Sequence, residues 1–182
     1  DCVNGLITGN VNTIIGFNAG ESFQNGNKNI FLGGNMATNL VNGNQNVIIG
    51  NETCSNISLS SSNISSNNTV IIGFQAGYNN QTGFKNTFIG YQSGVSMTTG
   101  LKNTILGSYS GNQGGLDIRT SANNLVLSDG DGNINAYADS ANTFFMNGCT
   151  SYTRGLGTYV RSWYGNNTGA VNVWTTVWTI PY

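Results

Sequence analysis

The chain has 182 residues, enough for one domain of ordinary size or two small ones, yet only 7% of them are charged and none is histidine. Without an imidazole the Ser/His/Asp and Cys/His hydrolase sites are excluded, and Cys2, Cys54 and Cys149 stand too far apart to make a metal spacing. Six basic residues against seven acidic ones leave no basic face for nucleic acid, and no apolar run is long enough to span a membrane. The first residue is not Met and no signal peptide is visible, so the chain reads as a processed product or a fragment. No catalytic residue, cofactor or metal site is expected.

From the N-terminus the chain repeats itself. Aligned on one glycine, the unit reads NTIIGFNAG at Asn12, NIFLGGNMA at Asn29, NVIIGNETC at Asn46, TVIIGFQAG at Thr69, NTFIGYQSG at Asn86 and NTILGSYSG at Asn103. The glycines at 16, 33, 50, 73, 90 and 107 are 17 residues apart except for one step of 23. A second glycine seven residues upstream, at 9, 26, 43, 83 and 100, keeps the same beat. A fixed period of this kind marks a solenoid, whose units bury an apolar face only by stacking. A β-branched triplet followed by Gly predicts strand then turn, so the expected fold is all-β: a parallel β-roll or β-helix with one coil per repeat.

Alternation within the strand sorts the side chains into two apolar columns. One holds Thr13, Ile30, Val47, Val70, Thr87 and Thr104 together with Ile15, Leu32, Ile49, Ile72, Ile89 and Leu106. The other holds Ile14, Phe31, Ile48, Ile71, Phe88 and Ile105. A thin coil has one interior, so the second column is expected outside, covered either by the rest of a larger monomer or by other copies of the chain. The reading adopted is a homotrimer with Ile14, Phe31, Ile48, Ile71, Phe88 and Ile105 as its subunit interface. Asn12, Asn29, Asn46, Asn86 and Asn103 share one repeat position and are expected to form an uncharged amide ladder along the stack. Lys28, Lys85 and Lys102 share another, read as a solvated edge.

The 23-residue step contains NETCSNISLSSSNISSNN, a Ser/Asn-rich insertion expected near 51–67. N-x-S/T sequons at Asn51, Asn56, Asn63 and Asn67 cluster there, with two more at Asn80 and Asn166, and these six are the candidate N-glycosylation sites. After residue 111 the beat ends. The segment GLDIRTSANNLVLSDGDGNINAYADS predicts an alternating strand, a Gly/Asp turn and a returning strand, either a hairpin or a last coil turning into another β module. DGDGN starts like an EF-hand loop, but Ile134 stands where that loop's glycine belongs and Ser140 where its glutamate belongs, so a plain turn is expected. Two regions result, a solenoid shaft over 1–111 and a β module over 112–182 that holds all three tryptophans. Trp163, Trp174 and Trp178 are either buried where three chains knit together or exposed as a platform for glycans, with Asn166 and Asn167 nearby.

The repeat NTFIGYQSG…TTGLKNTILG resembles those of bacteriophage tail-fibre proteins, many of which carry a self-cleaving chaperone at the C-terminus. DIRTSANNLVLSDGDGN (117–133) looks like a segment found in tail fibres of marine and freshwater phages. The stacked coils are also similar to the heads of trimeric autotransporter adhesins, whose unit is shorter. The resemblance covers roughly residues 9–133 and implies a homotrimeric, elongated, extracellular fibre that attaches to a host surface, with host-surface glycans as partners. No chaperone or cleavage serine is recognisable, and no family catalytic residue carries over. Two other functions remain open: a cell-surface or secreted filament subunit, glycosylated in the insertion, and a carbohydrate-active tailspike enzyme. The latter needs two carboxylates flanking a glycosidic bond, and the acidic residues are few and crowd towards the hairpin.

Overall fold

The structure is a computed structural model and describes residues 8–55 and 65–147. Its strands in chain order are β1 (Thr13–Ile15), β2 (Ile30–Leu32), β3 (Asn42–Asn44), β4 (Val47–Ile49), β5 (Ser65–Asn67), β6 (Val70–Ile72), β7 (Thr87–Ile89), β8 (Thr104–Leu106), β9 (Asn112–Gln113), β10 (Leu116–Asp117), β11 (Leu125–Ser128), β12 (Ile134–Ala138) and β13 (Phe144–Met146). The described residues contain no helix.

The repeat triplets become one sheet ordered β1-β2-β4-β6-β7-β8-β11-β12-β13. Neighbours are parallel from β1 to β11, and each repeat position lies on its equivalent: Thr13 on Ile30, Ile30 on Val47, Val47 on Val70, Val70 on Thr87 and Thr87 on Thr104. The 17-residue period is therefore one turn of a β-solenoid. β3 and β5 pair in parallel on a second side, Asn42 on Ser65 to Asn44 on Asn67. Pairing on the side before the insertion reaches Cys54, whose N–H donates to Ala76 O. The extra residues thus fall between Ser55 and Ser65, and Asn51 to Cys54 belong to the coil itself. The 23-residue step leaves register intact: Val47 lies on Val70 as Ile30 lies on Val47.

The two expected faces are exchanged. Phe31, Ile48, Ile71, Phe88 and Ile105 are fully buried inside the single chain, with Ile14 packed half-buried at the end of the row. They are the core of the coil, not an external interface column. Two further interior rows complete it. One runs Ala19, Met36, Thr53, Ala76, Ser93 and Tyr109, and the other contains Phe23, Leu40, Asn80 and Met97. Phe23 meets Phe31 edge to face at 5.2 Å between ring centroids. Burial pushes the Cys54 thiol up to about 12 and raises Tyr109, whose hydroxyl donates to Leu116 O at 2.6 Å.

The asparagine ladder forms, and it lies inside. Asn29 donates its backbone N–H and its Nδ2 to Asn12 Oδ1 at 3.1 and 2.9 Å, and Asn46 does the same to Asn29 Oδ1 at 3.0 and 3.0 Å. Each amide also reaches forward: Nδ2 of Asn12, Asn29 and Asn86 donates to Gly26 O, Gly43 O and Gly100 O, each at 2.8 Å. One asparagine thus ties its coil to the next through both ends of the amide, which is why it travels with the upstream glycine. Thr69 replaces the amide in one coil, and its N–H donates to Asn46 Oδ1 at 3.1 Å.

The glycine after each strand is required twice over. Gly73 has φ 141°, a region nearly closed to other residues. A Cβ there would stand 2.1 Å from Gly90 O of the next coil, and the same holds along the column.

The expected boundary near residue 112 falls within a continuous sheet. β11 lies parallel on β8, Val126 over Ile105, and so makes a seventh coil. β12 and β13 then return antiparallel, with Tyr137 stacked on Phe145 at 4.4 Å. The DGDGN turn is closed by Asp129, whose Oδ1 accepts the N–H groups of Asp131 and Asn133 and whose Oδ2 accepts Asn133 Nδ2. Asn133, through its side-chain and backbone hydrogen bonds, holds the Asp129 carboxyl below its usual range. Asp139 closes the following turn in the same way, onto Ala141 and Thr143.

Candidate functional surface: the outward face and its aromatic corner

With the Ile14 to Ile105 row inside, the alternate residues of every strand point out. Thr13, Ile30, Val47, Val70, Thr87 and Thr104 form one outward row, and Ile15, Leu32, Ile49, Ile72, Ile89 and Leu106 the other. Their neighbours above and below cover them in part, so that most are half-buried while Ile30, Ile89 and Leu106 remain close to 40% exposed. The result is a flat band, two side chains wide, almost purely aliphatic and threonine, and without a charge. Exposed apolar bands of this continuity mark contact surfaces.

Past the glycine where the chain turns, the next residue forms a corner column: Phe17, Gly34, Asn51, Phe74, Tyr91 and Ser108. Phe17, Phe74 and Tyr91 are exposed. Phe74 and Tyr91 lie nearly parallel, 5.8 Å apart. The residue after each, at Asn18, Asn35, Glu52, Gln75 and Gln92, sits in the left-handed region with φ near 50° and forms a second, outer ladder. Asn18 donates to Asn35, Gln92 to Gln75 Oε1 at 2.8 Å, and Gln75 to Glu52 Oε2 at 2.7 Å. Lys28, Lys85 and Lys102 share another left-handed position, and all three are exposed, as a solvated edge requires.

The candidate glycosylation sites divide. Asn51 is exposed, with Oδ1 accepting the Gly34 N–H at 2.7 Å, and Asn67 is half-buried, its Oδ1 taken by Asn44. Asn80 is corrected: it is 3% exposed in the interior row, so the fold leaves no room for a glycan there. Its Nδ2 donates to Gly83 O, while its Oδ1 is buried without a partner. Asn56, Asn63 and Asn166 lie outside the described residues, as do the candidate glycan platforms Trp163, Trp174 and Trp178. Cys54 is buried and unpaired.

Among the described residues no three His, Cys, Asp or Glu side chains gather where a metal could be held. The one ion pair among them is local and exposed, Asp117 with Arg119 at 2.7 Å. That guanidinium's hydrogen bond holds the Asp117 carboxyl below its usual range. The aromatic corner was missed in the sequence because Gly34, Asn51 and Ser108 interrupt it; reading the residue after each repeat glycine as a column would have found it. Compared with known proteins, the chain matches no family model, no curated protein and no solved structure.

Proposed function

We propose that the chain is a structural and adhesive fibre segment, a rigid solenoid shaft that associates with copies of itself, most simply as a homotrimer, and has no catalytic role. The observation that carries this reading is the uncharged outward band of β1 to β11. Water-exposed aliphatic rows are costly, and pairing them gains about 25 cal/mol for each Å² buried. A straight, parallel-coil shaft is stiff along its axis, because every coil is hydrogen-bonded to both neighbours. Amide ladders inside and out hold such a stack without the repulsion that stacked charges would bring. The likeness of the repeats to bacteriophage tail fibres supports a virion appendage that contacts a host surface.

Light scattering on the intact chain tests the assembly. The expected result is a particle of three chains, and a monodisperse folded monomer contradicts it. A second reading, a cell-surface or secreted filament, is favoured by the exposed Asn51 sequon on the corner. Glycopeptide mass spectrometry of the native protein separates the two, since a glycan at Asn51 supports the filament and co-purifying capsid proteins support the virion.

A further inference from the structure

The corner column changes character at one place. Through coils four and five it carries a ring, Phe74 and then Tyr91, but in the sixth coil the equivalent residue is Ser108. The turn is rebuilt there. The N–H of Gly94 donates to Tyr109 O, and Tyr109 enters the interior row where Ser93 stands one coil earlier. The left-handed corner residue that occurs as Gln75 and Gln92 has no counterpart in this coil. Tyr91 has Phe74 stacked on it and is 56% exposed against 42% for Phe74, and the next residue of the column is the small Ser108.

Beside that ring the outer amide ladder ends, and its polarity is fixed from the far end. A carboxylate only accepts, so Glu52 makes Gln75 donate through Nε2, and Gln75 Oε1 must then accept from Gln92 Nε2. Gln92 is held by this chain with its own Oε1 at the free end, where it accepts no hydrogen bond from the described residues. Donating through Nε2 also makes that oxygen a better acceptor, because hydrogen bonds in series polarise one another. An exposed aromatic ring followed in the chain by an unengaged acceptor suits a ligand with a flat array of C–H bonds on one side and a hydroxyl at its rim.

We propose that Tyr91, Gln92 and Ser108 form a sugar-binding shelf on the flank of the shaft, taking a single uncharged hexopyranose unit of a glycan. The ring of the sugar stacks on Tyr91 over Ser108 and donates one hydroxyl hydrogen to Gln92 Oε1. This deepens the adhesive part of the reading above and rests on it for its biological sense. It also moves the contact from the tryptophan-rich end to the side of the solenoid.

The test uses the full chain on an array of uncharged glycans, followed by NMR titration of the best binder's terminal methyl glycoside. Binding to at least one glycan, with shifts of the Tyr91 ring protons, is expected. Tyr91→Ala and Gln92→Leu should each weaken it at least tenfold, and Tyr91→Phe should keep it. Ser108→Tyr should abolish it by covering the open face with a third ring while leaving the fold intact, and so decides the matter if Tyr91→Ala does not fold. Absence of binding to every glycan, or binding that survives Tyr91→Ala or Ser108→Tyr, overturns the shelf. A trimer that binds nothing overturns the shelf alone, whereas a monomer that binds through Tyr91 overturns the assembly alone.

Discussion

Phe88 and Ile89 are neighbours in the chain, are both large and apolar, and lie in the same three-residue strand. Phe88 has no contact with water and Ile89 keeps 39% of its surface exposed. The same division runs through every coil, between the row of Ile71 and the row of Ile72. Inside, each side chain is enclosed by its own chain: the rows above and below, and the two rows across the coil. Outside, it is covered only by its neighbours in the stack. The inward row therefore decides whether the chain folds, and in the assembly proposed above the outward row decides what the chain associates with. Hydrophobicity alone does not tell one from the other.

The comparison breaks most visibly in the core. Phe88→Ala should cost about 3–5 kcal/mol, because the rows on either side of it are held in register and cannot collapse into the cavity. Thermal unfolding reads this directly, and a loss under about 1 kcal/mol would mean that the row is not enclosed. An effect of the same order is expected where backbone meets backbone. Gly73→Ala forces a side chain to φ 141° and sets its Cβ 2.1 Å from Gly90 O, so about 1–3 kcal/mol of backbone strain adds to the cost of pushing the two coils apart. An unchanged melting temperature would show that the coils are not stacked at that spacing.

The smallest effect has the opposite sign and sharpens the rule for the interior. Asn80 occupies the row of Leu40 and Met97 with a buried, unpaired Oδ1, and such an atom costs about 1–3 kcal/mol. Asn80→Leu should raise the stability by roughly 1 kcal/mol, after loss of the hydrogen bond to Gly83 O is set against the gain. A destabilised variant would mean that the amide does structural work there.

Period, strand, turn and ladder were legible because each leaves a residue-type mark at a fixed interval. Glycine stands where a Cβ has no room, and asparagine stands where both ends of an amide are used. Which apolar row is internal was not legible from hydrophobicity, since both rows are aliphatic. The distinguishing marks were subtler. Asn29 and Phe31 are two residues apart and so share a face, and the bonded amides of the ladder are buried with the row. The outward row also contains Thr13, Thr87 and Thr104, whereas the inward row admits phenylalanine and no polar residue. The seventh coil was hidden because Ser128 stands in the glycine column and 21 residues separate Leu125 from Thr104, although Asn124 continues the ladder onto Asn103 Oδ1 at 2.9 Å. The corner was invisible to any reading that followed strands alone, since its residues lie in the turns.

The division between the two rows is tested most directly by one substitution made at two adjacent positions. Ile71→Asp and Ile72→Asp introduce the same charge on opposite faces of β6, and each variant is examined by thermal unfolding and light scattering. The account predicts that Ile71→Asp fails to fold, because a carboxylate would have to enter the enclosed row. It predicts that Ile72→Asp keeps a cooperative melt but dissociates into single chains. Equal damage from both, or a folded Ile71→Asp beside an unfolded Ile72→Asp, would contradict it.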